Sequence, residues 1–213
     1  MDTISKQQMA VLVARFVEFQ EKFSPMSKAD AQFVIQDTAA AIDIIIKAIA
    51  KRKTTKDWFE CLNPVELPAT EEVFDAQKYF WCDPEMPVRI SECSINFVNW
   101  YYAKKETIKD RRLLKRVKLL VPLVSSEPII SSLGGEANVE TFLVDIAYLL
   151  KQQPKGEKGL LDTDCNANIF FVKTAVGYIK EISVYWTGKG WAYQAHPLNS
   201  GHERNDCSII FSY

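Results

Sequence analysis

Histidine, glycine and closely spaced cysteine are scarce in this chain, and each scarcity removes a class of chemistry. His196 and His202 are the two histidines among 213 residues, so imidazole acid–base catalysis would have to run through one of them. Eight glycines include no G-x-G-x-x-G fingerprint, and Gly188-Lys189 lacks the upstream glycine of a P-loop, so no phosphate-cradling loop is present. Cys61, Cys82, Cys93, Cys165 and Cys207 are odd in number and contain no C-x-x-C pair, which excludes a disulfide framework and a zinc ribbon. Their pattern predicts reduced, mostly buried thiols. No N-x-Ser/Thr sequon occurs. The start, MDTISKQQMA, lacks a basic n-region and an apolar centre, and predicts a protein that stays in the cytoplasm. The most apolar stretch, 33–50, is interrupted by Gln36, Asp37, Asp43 and Lys47, which suits a soluble helix and not a membrane span.

What the chain does hold is material for a core. Hydrophobic residues make up 47% and aromatics 12%, which excludes disorder, and the net charge of -1 argues against a wholly basic nucleic-acid coat. Met9, Leu12, Val13 and Phe16 predict a helix over 5–23. Ser27 can cap a second helix, whose stripe Ile35, Ala39, Ile42, Ile46 and Ile49 runs to the basic run 51–53. Residues 1–53 thus read as an antiparallel helical hairpin, and its Ile-rich stripe is a candidate surface for homo-oligomerisation. Residues 54–94 carry Pro64, Pro68, Pro84 and Pro87 without a sustained period and read as an acidic connector.

Residues 95–213 read as an α+β domain. The segments 89–102 and 113–121 fit helix and strand equally well. A short turn of helix is expected at 129–133, and Val139, Phe142, Leu143, Ile146 and Leu150 predict one helix over 136–153. Alternation then predicts strands at 168–173, 179–186, 191–195 and 207–212, with Trp186 and Trp191 paired beside a turn. The expected fold class is therefore α+β: the hairpin, then a mixed body ending in a three- to four-stranded antiparallel sheet packed on the 136–153 helix.

The strings EPIISSLGGEANVETFLVDIAYLL, ANIFFV, VYWTGKGW and SIIFS, in that order, resemble the C-terminal region of a set of bacterial hypothetical proteins with a PIIxxLGGEA helix, an ANIFYV strand and a terminal VFS. The resemblance covers about 97–213, implies one continuous unit, and brings no activity. Cys165, His196, His202 and Cys207 are not part of that pattern.

Charge is segregated. Residues 104–118 hold eight cations against Glu106 and Asp110, whereas 57–92 hold nine acids against Lys78 and Arg89. Read functionally, Lys109, Arg111, Arg112, Lys115, Arg116 and Lys118 form a strip for nucleic acid or an acidic protein surface, with Tyr101 and Tyr102 able to stack on bases. Read structurally, strip and connector neutralise each other inside the fold. The expected function is a non-catalytic binding or interaction module without cofactor or membrane contact. The alternative is a Cys/His-dependent or metal-dependent hydrolase centred on His196, Cys165 and Cys207, with Asp162, Asp164 or Asp206 orienting the imidazole and His202 as a further metal ligand.

Overall fold

The computed structural model describes residues 58–213, except positions 71, 84, 109, 124, 165 and 201–203. In chain order the described elements are β1 (Phe59–Leu67), β2 (Phe74–Asp75), α1 (Ala76–Tyr79), β3 (Ile90–Cys93), α2 (Ile95–Tyr101), β4 (Lys105–Glu106) and β5 (Arg112–Leu119). There follow α3 (Glu127–Ser132), α4 (Glu136–Val139), β6 (Glu140–Thr141), α5 (Leu143–Gln152), β7 (Asn168–Lys173), β8 (Ile179–Trp186), β9 (Trp191–His196) and β10 (Ile209–Ser212).

Among the described residues, eight strands form one mixed sheet in the order β1-β5-β10-β7-β8-β9-β3, with β6 continuing alongside β7 beyond β10. This corrects the expected fold class. The three- to four-stranded antiparallel sheet is only part of the sheet: β7, β8 and β9 do form an antiparallel meander, but β10 returns parallel to β7. β3 adds in parallel outside β9, and β1 and β5 extend the opposite side as an antiparallel pair. The helical hairpin expected over 5–53 lies outside the described residues.

The physical reason the sheet outgrew the expectation lies in its two outer strands. In β1, Leu62 faces Arg116 but Val65 faces Leu114, so an extra residue at Asn63–Pro64 makes a bulge. Leu62, Val65 and Leu67 consequently pack on the same core despite odd spacing. β3 repeats the device: Ile90 opposes Trp191 and Cys93 opposes Tyr193, three residues against two. A bulge destroys the period-2 signature while blunting an edge against further pairing, and Pro64 is tolerated because its strand is an edge among the described residues.

The expected 136–153 helix is also broken. Val139 is buried in the core on one face of the sheet, while Leu143, Ile146 and Leu150 are buried in the core on the other. A continuous helix would hold Val139 and Leu143, one turn apart, on the same side. The chain instead crosses the sheet level as β6, where Thr141 Oγ1 donates to Phe171 O at 3.1 Å. α5 then restarts with its own cap, the Asp145 carboxylate accepting from Phe142 N at 2.9 Å.

The segment 89–102 proves to be both alternatives in succession: β3, then α2. Ser94 separates them, its Oγ accepting from Phe97 N at 3.2 Å and from Ala195 N at 3.2 Å. The segment 113–121 is strand β5 almost throughout. The expected Trp186/Trp191 pair is present, with ring centroids 5.5 Å apart at 68°, and Trp191 Nε1 donates to Gln153 O at 2.8 Å. Gly156 lies against Trp186 at φ +71, and a Cβ there would sit 2.3 Å from the indole.

The larger core, on the face covered by α2 and α5, is aromatic. Phe80, Phe97 and Tyr193 stack or meet edge-on within 5.4 Å between centroids, and Phe170 stacks on Phe211 at 4.5 Å. The smaller core, under α3 and α4, gathers Ile129, Ile130, Val139, Ile169, Phe171, Ile179 and Ile210.

Candidate functional site

The basic strip is divided by the strand that carries it. Side chains alternate along β5, so Arg112, Leu114 and Arg116 turn toward the aromatic core while Leu113 and Lys115 face outward. Arg116 donates to Leu160 O at 2.7 Å and lies 5.9 Å over the Phe211 ring. Arg112 donates to Asp145 Oδ1 at 2.6 Å and to the Tyr213 hydroxyl at 2.8 Å. Arg111 and Lys115 are exposed, Lys118 is half-buried, and Lys109 lies outside the described residues. The strip also lies beside the acidic segment. β1 pairs β5 with Glu60 opposite Lys118, and β2 pairs β4 with Lys105 3.7 Å from Asp75.

Of the hydrolase candidates, His196 and Cys207 are described, and these two do not meet. Cys207 donates its N–H to Leu119 O beside β5 and enters β10, while His196 closes β9. β7 and β8 lie between β10 and β9, which sets three strand spacings, roughly 14 Å, across the sheet. Cys165 and His202 lie outside the described residues. Among the described residues no three Cys, His, Asp or Glu side chains gather as a metal site, and no helix is long and apolar enough to cross a membrane. The buried-thiol expectation fails for four cysteines: Cys61 and Cys82 are exposed, Cys93 and Cys207 half-buried.

Two buried carboxylates went unnoticed in the sequence. Glu181 on β8 is fully buried. It accepts from Arg204 Nε at 2.8 Å and Nη2 at 2.6 Å, from Ser183 Oγ at 3.2 Å and from Ser126 Oγ. Arg204 also donates to Ser126 Oγ at 2.7 Å. The group acts as a staple that ties Arg204 and Ser126 to the sheet.

Asp145 is the second, and it leads to a cleft. Its Oδ2 accepts from the Tyr213 hydroxyl at 2.6 Å, completing a closed Asp145–Arg112–Tyr213 ring. Burial raises the Asp145 carboxyl above its ordinary range, opposed by Tyr213, Arg112 and the Phe142 N–H. Burial works against the Arg112 charge, but Asp145 and Tyr213 outweigh it and hold the guanidinium above its usual value. Burial and the Asp145 charge raise the Tyr213 phenol well above its usual range. Nearby, Glu106 receives Val144 N at the start of α5 at 2.9 Å and pairs with Lys104 at 2.8 Å.

Arg112 of this ring also lines a cleft of about 360 Å³ between the end of β1, residues 72–74, α1 and α5. Leu67, Phe74, Val144 and Ala147 supply its apolar surface, Tyr79 and Tyr148 its aromatic walls, and Arg112 and Lys151 its cations, with Glu72 also at the lining. Lys151 Nζ lies 4.2 Å over the Tyr79 ring and, among the described residues, has no carboxylate at ion-pair distance. A volume in this range, apolar walls and a few convergent polar groups are the attributes of a small-molecule site. No family model matches this chain, and neither a curated protein nor a solved structure does.

Proposed function

We propose that this protein is a non-catalytic binding module and that its ligand is a small organic anion held in the α1–α5 cleft. The observation that carries the reading is Lys151, an ammonium group without a carboxylate partner among the described residues, set over an aromatic ring at an apolar concavity. Arg112 contributes shape and hydrogen-bond direction, since Asp145 already balances its charge. Among the described residues the buried acids are each held by a cation, Glu181 by Arg204, Asp145 by Arg112 and Glu106 by Lys104, which supports binding over bond-making.

Benzoate, phenyl phosphate and hexanoate serve as probes. In amide NMR spectra at least one of them should shift the signals of Tyr79, Tyr148 and Lys151. Lys151→Glu should weaken that binding about tenfold or more, and Ala147→Phe, filling the cleft, should abolish it while circular dichroism stays unchanged. Silence from all three probes, or binding indifferent to both variants, would overturn the reading.

A further inference from the structure

Outside the cleft, one cluster of nucleophilic side chains has no part in the fold's ion pairs. Cys93 ends β3 opposite Tyr193, and Tyr102, just past α2, directs its hydroxyl both to Phe80 O at 3.0 Å and to Cys93 Sγ at 3.8 Å. One hydroxyl touching both atoms brings the backbone at residue 80 next to the Cys93 thiol. Two residues on, Asp83 N donates to Trp81 O at 3.0 Å, a tight turn with Cys82 at its centre. The ring of Trp81 leans over Tyr102 at 6.3 Å, holding this turn against the same tyrosine. Cys82 is exposed and Cys93 half-buried, so a soluble reagent meets Cys82 first. Burial pushes the Cys93 thiol up to about 11, opposed by the Tyr102 hydroxyl and reinforced slightly by Cys82.

We propose that Cys82 and Cys93 form a dithiol site that a low-molecular-weight disulfide, such as oxidised glutathione, converts to an intramolecular disulfide. The Cys82 thiolate attacks one sulfur of the reagent, breaking its S–S bond, forming a mixed disulfide and releasing one thiolate. The Cys93 thiolate then attacks the Cys82 sulfur of that mixed disulfide and expels the second thiolate. Two protein thiols are oxidised, one reagent disulfide is reduced to two thiols, and the two protein protons go to the released thiolates. Raised thiol pKa values make the exchange slow at neutral pH, because the thiolate fraction is small. The bond would tie the 80–83 turn to the outer strand β3. α1, which lends Tyr79 to the cleft, ends just before that turn.

The full chain is incubated with oxidised glutathione, quenched with iodoacetamide and mapped by mass spectrometry on non-reducing gels. The expected result is a monomer with Cys82 and Cys93 peptides cross-linked, lighter by two hydrogen atoms and lost from the alkylated pool. Cys93→Ser should instead trap glutathione on Cys82, and Cys82→Ser should leave Cys93 alkylatable. A wild-type protein that keeps glutathione on Cys82, alkylates at both positions, or cross-links only between chains would overturn the proposal. The serine variants decide the matter at the level of peptides, so they do so independently of whether the cleft binds an anion.

Discussion

The two faces of the sheet are closed in different ways. On the α2–α5 face the interior is a continuous aromatic and aliphatic cluster, and its buried ion pair, Arg112–Asp145, sits at the margin with the arginine side chain 12% exposed. On the α3–α4 face a smaller apolar cluster adjoins Arg204–Glu181, whose side chains are 1% and 0% exposed. An apolar core loses stability in proportion to what is removed. A buried charge pair behaves differently: half of it is worse than none, because the remaining ion is left in a medium that cannot solvate it.

That contrast is sharpest at Arg204. Arg204→Ala should cost about 4 kcal/mol in urea unfolding, whereas Glu181→Leu combined with Arg204→Met should recover most of the loss. A double variant as unstable as the single one would mean that the staple supplies more than charge balance. On the aromatic face, Phe97→Ala should cost about 3 kcal/mol, and no second substitution should restore it except one that refills the volume. Gly156→Ala combines a left-handed backbone with a methyl driven into the Trp186 indole, and about 2 kcal/mol should be lost. If Gly156→Ala were neutral, the Trp186 edge of that face would be looser than its close contacts imply. Ser94→Ala removes the α2 cap and should cost about 1 kcal/mol, read as a small fall in thermal midpoint.

How much of this was legible in the sequence depends on whether a signal was local. The meander β7–β8–β9, the short helix near 129–133 and the Trp186/Trp191 contact were readable, because alternation and turn residues act over a few positions. β1 was not, and β3 was readable only as one of two alternatives, since one bulge in each shifts the alternation partway along. The helix expected over 136–153 had a sound apolar stripe, but the stripe serves two cores on opposite sides of the sheet. The basic strip was visible as composition, but not which of its cations lie inward: once β5 is a strand, Arg112 and Arg116 turn to Asp145 and Leu160 O while Arg111 and Lys115 stay exposed. Of the candidate cleft, only Arg112 had been singled out. Tyr79, Tyr148 and Lys151 carry no pattern that marks them, and Asp145 falls in the middle of the helix expected over 136–153, where nothing sets it apart.

By itself, the sequence determined which segments could be strands, where the chain must turn and that enough apolar surface existed to bury a sheet on both sides. Only the tertiary structure decided the strand order, the crossing at Glu140–Thr141 and which charges are neutralised. Those outcomes depend on pairings between residues far apart in the chain, Arg112 with Asp145 and Glu181 with Arg204, whose energy exists only after distant strands have met and water has been excluded between them.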